Sequence, residues 1–255
     1  MTKARPLLAT HAVTKTFGGV RAVDRCTLAV QSGTITGLIG PNGAGKTTLF
    51  NMIIGLYAPE EGSITFGVER IDGLPAYEIV DRGVVKSFQI PREFRRLTVL
   101  ENLLVAHPRH PGENPIAALF GRRRVWDHEE MIRKKGLDML ALVELDPLSD
   151  AYASDLSGGQ KKLLELARAL MTEPKLVLLD EPVAGVNPTL TKKLLSLLSD
   201  LRANGKTFFM IEHDMDVVMT QCDRVIAMHQ GRPIAEGSPV EVRRDEKVLE
   251  AYLGA

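Results

Sequence analysis

The chain has 255 residues, 44% of them hydrophobic, enough for one large domain, or a core with a smaller lobe, around a sizeable buried interior. Lys plus Arg balances Asp plus Glu at 32 each and aromatic residues are only 5%, which argues against a phosphate-backbone binder and against a stacking platform for single-stranded nucleic acid. No apolar run approaches the ~18–20 residues that cross a bilayer.

The opening segment, residues 1–13, has no apolar core of signal-peptide length. The reading is therefore a soluble chain, or one that meets a membrane only through a partner. Cys26 and Cys222 stand in unrelated surroundings. They make neither metal-ligand spacing nor a disulfide framework, and read as small buried hydrophobes in a reducing compartment.

Short apolar stretches alternate with longer helical patterns, which predicts an α/β fold with a largely parallel sheet. Strands are expected at 12–17, 22–30 and 34–39, with turns at Gly18-Gly19 and Ser32-Gly33. A helix follows from about Gly45 to Ile54, and a further strand at 63–66. Thr98-Val99-Leu100-Glu101 is a capping box, so a helix is expected from there to about Ala106. Residues 107–121 read as an irregular excursion, with His107 and His110 as exposed loop residues. Helical periodicity returns over 127–143, with Met131, Leu137, Leu140 and Val143 among its apolar positions. Residues 91–156 thus read as a mainly helical lobe inserted into the α/β core. Beyond Gly159 the pattern gives a helix to Leu170, a strand at 176–179, a helix at 190–202 and a strand at 207–211. A hairpin around Gln230-Gly231 and two short helices finish it.

Gly40-Pro41-Asn42-Gly43-Ala44-Gly45-Lys46-Thr47 fits the phosphate-loop pattern, between an apolar strand and a helix. Glycines let the backbone wrap closely, so that successive N–H groups and the helix N-terminus face the phosphates. Lys46 supplies a point charge, and the Thr47 hydroxyl can ligate Mg²⁺. Leu156-Ser157-Gly158-Gly159-Gln160 precedes a second amphipathic helix. It reads either as another anion site or as a plain N-cap at Ser157.

Leu176–Leu179 is an apolar strand ending in Asp180 and Glu181. A doubly buried strand delivers such acids to the carboxyl edge of the sheet, where open α/β folds bind ligands. Asp180 can hold Mg²⁺ there, while Glu181, pointing the other way, can orient or deprotonate an attacking water. Phe209–Asp214 repeats the pattern. Three roles stay open for His213: a metal ligand with Asp214, a cap, or a contact to the γ-phosphate.

With these segments in hand the chain resembles the nucleotide-binding subunits of ABC transporters, over essentially its whole length and with the motifs in the family's order. The resemblance implies a P-loop NTPase (ABC ATPase) core with an antiparallel β subdomain and an inserted α-helical subdomain. It makes Gly40, Pro41, Asn42, Gly43, Ala44, Gly45, Lys46, Thr47 and Thr48 the Walker A loop and its helix start. Phe17 becomes the aromatic that stacks on adenine, and Gln89 the Q-loop glutamine, which shares Mg²⁺ with Thr47 and Asp180. Ser157, Gly158, Gly159 and Gln160 become the signature, which meets the ATP of a partner subunit in a head-to-tail dimer. Glu181, His213 and Lys46 are the implied catalytic residues. Ala184-Gly185-Val186-Asn187 departs from the family's S-A-L-D by carrying Asn187 in place of the aspartate.

The implied cofactors are ATP and Mg²⁺. The implied partners are a second ABC ATPase subunit, transmembrane permease subunits and, indirectly, a substrate-binding protein, without nucleic acid. The implied place is peripheral, on the cytoplasmic face of the inner (plasma) membrane. Phe88-Gln89-Ile90-Pro91, Leu97–Asn102, Ala184–Pro188 and Ala251–Gly254 resemble, more finely, ATPases of branched-chain amino-acid importers. ATPases for urea import or lipopolysaccharide export share parts of the pattern. A soluble ABC ATPase acting on ribosomes or DNA is disfavoured by the single copy and the neutral charge, and a scaffold without turnover by the presence of Glu181 and His213. Arg92, Arg95, Arg96 and Arg122–Arg124 read as solvated faces or as a docking surface.

Overall fold

The computed structural model describes residues 5–87, 93–108 and 122–253. Gln89, Arg92, His110 and most of the excursion, together with the side chains of 122–125, lie outside the described residues. By contacts the chain divides into two compact units, one of residues 1–89, 175–182 and 195–255, the other of residues 90–174 and 183–194.

The first unit holds two sheets. β1 (Leu8–Phe17) and β2 (Val20–Val30) form a hairpin, and with β4 (Glu61–Phe66) and β5 (Glu69–Arg70) they make an antiparallel sheet in the order β2-β1-β4-β5. β1 starts four residues before the alternation predicts. The cause is a pair of irregularities: Ala12 and Arg25 adopt φ of 49° and 46°, the register shifts there, and strict inside–outside alternation fails. The Thr27 and Thr14 hydroxyls accept from the N–H groups of Ala12 and Arg25 at 2.8 and 3.2 Å.

The second sheet has six strands in the order β10-β9-β3-β8-β7-β6. β3 (Ile35–Ile39), β6 (Val84–Lys86), β7 (Leu176–Asp180), β8 (Thr207–Ile211) and β9 (Arg224–His229) run parallel; β10 (Arg232–Gly237) returns antiparallel to β9. β3, β7 and β8 are buried at every position, as expected of parallel strands covered on both faces. The short strand β6 is absent from the sequence reading. α1 (Lys46–Ile53) follows β3, and its Phe50 ring lies 4.9 Å from that of Phe209 in β8.

In the second unit, α3 (Val99–Leu104), which follows α2 (Ala76–Asp81) in the chain, carries the predicted capping box. The Thr98 hydroxyl accepts from Glu101 N–H at 3.1 Å, and the Glu101 carboxylate accepts from Thr98 N–H at 2.7 Å. α4 (Arg122–Leu142) buries Ile132, Gly136 and Leu140, followed by Val143, whereas Met131 is 51% exposed. Of the predicted apolar positions, Leu140 and Val143 are buried and Leu137 half-buried; only Met131 faces outward, with its neighbour Ile132 buried instead. At Gly136 a β-carbon would stand 3.0 Å from Leu100 Cδ1, so α3 packs closely on that face. His107, expected to be exposed, is half-buried, its ring edge-on to His128 at 5.8 Å; a contact so far along the chain has no local signature. α5 (Gly158–Met171) completes this unit, and α6 (Pro188–Ala203) begins in it. α7 (Met215–Gln221), α8 (Pro239–Arg244) and α9 (Glu246–Leu253) belong to the first unit.

Candidate active site

β3 ends at Ile39 and the chain turns into α1 through glycines with left-handed or otherwise positive φ: Gly40 at 147°, Gly43 at 80° and Gly45 at 97°. No side chain caps the start of α1, so its first-turn N–H groups remain available to an anion. The loop is held from behind by the β9–β10 turn, where Gly231 N–H donates to Ala44 O at 3.0 Å and Gly231 O accepts from Asp24 N–H at 3.0 Å.

Lys46 is only 6% exposed. Its ammonium folds back to donate to Gly40 O at 2.6 Å and Pro41 O at 3.0 Å. Burial depresses its pKa below the ordinary lysine value, and the nearby Glu181 and Asp180 carboxylates offset part of that.

A cavity of about 270 Å³ opens above the loop, lined by residues 42–48, Ala22, Glu181, Ile211 and His213. The strand order explains the lining. β8 pairs with β3 on one side and with β7 on the other, so the carboxyl ends of both acid-bearing strands come up beside the loop. Asp180 is 4% exposed, and its Oδ2 lies 3.1 Å from Lys86 Nζ. Lys86 Nζ also donates to Asn51 Oδ1 on α1 at 3.0 Å.

Glu181 has φ of 51°, a left-handed conformation that costs an ordinary residue about 1–2 kcal/mol. Its N–H donates to Ile211 O at 3.0 Å, and the turned side chain brings Oε1 to 2.9 Å from His213 Nε2. Asp214 takes the capping role among the openings left by the sequence. Its carboxylate accepts from the N–H groups of Asp216 and Val217 at the start of α7. His213 instead faces Glu181. Phe17 is 42% exposed, edge-on to Tyr57 at 5.2 Å with Lys15 Nζ 5.6 Å from its ring centre.

In the second unit Ser157 caps α5: its hydroxyl accepts from Gln160 N–H at 3.4 Å, and Gln160 Oε1 accepts from Ser157 N–H at 2.9 Å. Lys162 Nζ donates to Ala184 O at 2.6 Å. Asn187 caps α6, accepting from Leu190 N–H at 3.0 Å. The departure at that position therefore keeps an oxygen where a helix start needs one.

The sequence reading misses Lys86 and Asn51, and takes Gly231 only as a hairpin turn, not as a support of the loop. It also misses Asp24, whose carboxyl is held below the ordinary value by a hydrogen bond from Arg232, aided by Arg21 and Arg25, against an upward push from burial. Lys86 left a trace as a lysine ending an apolar run just before Ser87-Phe88-Gln89, and Gly231 as the turn after Gln230.

A sheet with a glycine-lined anion loop after its central strand, and acids at the ends of the neighbouring strands, defines a P-loop nucleotide-hydrolysing protein. The chain belongs to the ABC transporter family, whose sequence profile matches residues 23–184. A second profile, described as branched-chain amino acid ATP-binding cassette transporter, matches residues 232–255. The chain is 42% identical to a probable branched-chain amino acid transport ATP-binding protein LivG of Archaeoglobus fulgidus, over 98% of this chain and 96% of that one. Among solved structures it is similar to a nucleotide-free ATP-binding cassette from an ABC transporter, at TM-score 0.85 and 39% identity over 98% and 100% of the two chains. A dimeric cassette in a post-hydrolysis state bound to ADP and Pi matches at TM-score 0.74 and 25% identity, over 91% and 98% of the two chains.

Proposed function

We propose that this chain is the ATP-hydrolysing subunit of an importer for branched-chain amino acids, acting as one ABC ATPase domain with 91–156 as its helical subdomain. The observation that carries the enzymatic half is the cavity above Gly40–Thr47, with Glu181 and His213 paired at 2.9 Å on its wall. The cargo rests on the profile matched by residues 232–255 and on the similarity to LivG.

ATP phosphates lie on the N–H groups of the loop and the start of α1, with Lys46 redirected from its carbonyl partners to the β- and γ-phosphates. The exposed Phe17 ring, braced by Tyr57, offers its face to the adenine. Glu181 aligns and deprotonates the attacking water. His213 holds that carboxylate in place and reaches toward the γ-phosphate.

Thr47 and Asp180 fit Mg²⁺: both are hard oxygen donors, and Asp180 already carries a cation, the Lys86 ammonium, on one oxygen. When bound, Mg²⁺ neutralises charge on the phosphates. An ion held by Thr47 and Asp180 would be completed by phosphate and water. Gln89 joins this set as the residue coupling the γ-phosphate to the helical subdomain.

Ser157–Gln160 serve the ATP of a second subunit, so the working form is a dimer. It sits on permease subunits at the cytoplasmic face of the membrane, fed by a substrate-binding protein. Among the described residues no helix is long and apolar enough to cross a membrane; attachment in this reading runs through the permease.

Glu181→Gln tests the chemistry. It should keep ATP affinity, lose at least ~10²-fold in turnover and accumulate an ATP-bound dimer in size-exclusion chromatography. Turnover at the parent rate would remove Glu181 from its role. Copurification with permease subunits, followed by leucine, isoleucine and valine uptake in a strain lacking this chain, tests the cargo. Recovery on ribosomes or DNA would overturn it.

A further inference from the structure

We propose that Lys86 is a positioning residue for the metal-binding carboxylate, fixing Asp180 between the two elements that carry the expected Mg²⁺ ligands. The inference rests on the reading of Thr47 and Asp180 as those ligands.

Lys86 ends β6, and β6 runs parallel to β7 with Lys86 opposite Leu178. From there its amine reaches over to Asp180 Oδ2 at 3.1 Å. The Lys86 and Asp180 side chains are 8% and 3% exposed, so little water is available to either charge. The same ammonium donates to Asn51 Oδ1 at 3.0 Å, beside the Phe50 ring, whose centre is 6.0 Å away. Asn51 follows Thr47 by four residues on α1 and so lies on the same face of that helix, one turn further in. One ammonium therefore ties the strand bearing Asp180 to the helix bearing Thr47. It occupies Oδ2 and leaves Oδ1 for the ion or its water.

A buried ion pair is weak grounds for added stability. What this pair contributes is orientation: without Lys86, Asp180 loses the partner that fixes its rotamer and its distance from α1. Outer partners that orient a ligand typically matter about 10–100-fold in metal affinity.

The test measures ATP affinity by calorimetry in EDTA and in Mg²⁺, using full-length protein in the Glu181→Gln background so that no hydrolysis heat intrudes. The readout is the ratio of the two dissociation constants. Lys86→Met should lower the Mg²⁺ advantage about tenfold while leaving affinity in EDTA within about threefold of the parent. Lys86→Arg should restore most of it. Asn51→Ala keeps the Lys86–Asp180 pair, so it avoids a stranded buried charge; it should lower the advantage about threefold.

Asp180→Asn separates the two readings. If it leaves the Mg²⁺ advantage intact, the assignment of Asp180 to the metal fails. If it removes the advantage while Lys86→Met does not, only the role of Lys86 fails. An equal loss in EDTA and in Mg²⁺ for Lys86→Met would make Lys86 a purely structural residue and overturn the proposal. Should Lys86→Met not fold, an unchanged advantage in Asn51→Ala overturns it as well.

Discussion

Gly43 and Gly45 both have positive φ, 80° and 97°, yet alanine should cost very different amounts at the two positions. At Gly43 a β-carbon meets nothing within 4 Å, leaving only the backbone penalty of about 1–2 kcal/mol. At Gly45 it would lie 2.1 Å from the Ala22 carbonyl oxygen, against the 3.0 Å at which real contacts begin, so β2 and α1 must part by close to 0.9 Å. Gly231 Cα also stands 3.4 Å from the added atom, and Gly231 N–H is bonded to Ala44 O, so the β9–β10 turn crowds the same site. Overpacking of this kind adds about 1–3 kcal/mol, for a total near 3 kcal/mol or more. Urea unfolding of the nucleotide-free protein should therefore place Gly45→Ala about 2 kcal/mol below Gly43→Ala. Because the start of α1 is what moves, Gly45→Ala should also bind ATP at least about tenfold more weakly than the parent. Equal destabilisation of the two variants would refute the argument that close approach, and not φ alone, requires glycine at 45.

Asn187→Ala removes the cap of α6 and should lower unfolding stability by about 1 kcal/mol, while Asn187→Asp should stay within a few tenths of the parent in the same measurement. Burial pushes the Cys26 and Cys222 thiols up to about 12, from an unfolded value near 9. In the folded chain the thiol stays neutral while the unfolded chain ionises. The stability from this is complete below about pH 9 and is lost toward pH 12, at about 1.4 kcal/mol per pH unit for each cysteine. Cys26→Ala and Cys222→Ala should each flatten the fall of the urea midpoint between pH 9 and 11, and an unaltered slope would exclude these thiols as its source.

Local chemistry made much of the molecule legible. The capping box at Thr98 and Glu101, the glycine loop before Lys46, and the apolar runs that become β7 and β8 are all decided within a few residues of chain. So is the turn at Gln230-Gly231. Misreadings occur where the deciding partner is remote: the bulges that extend β1, the outward-facing Met131 of α4, and the half-buried His107. The role of His213 is open in the sequence for the same reason, since only the folded chain shows that Asp214 caps α7 while His213 faces Glu181.

By itself, the sequence determined that this chain has a phosphate loop, an acid pair at the end of a buried strand, and a histidine at the end of another. Those patterns depend on residue type and spacing along the chain. Only the tertiary structure decided that β8 lies between β3 and β7, and so that Glu181 and His213 share the wall of one cavity above Lys46. It likewise decided that Asp180 is held by Lys86, 94 positions earlier in the numbering (180 − 86). Strand order and ion pairing of this kind arise from contacts across the sheet, where separation along the chain sets no distance in space.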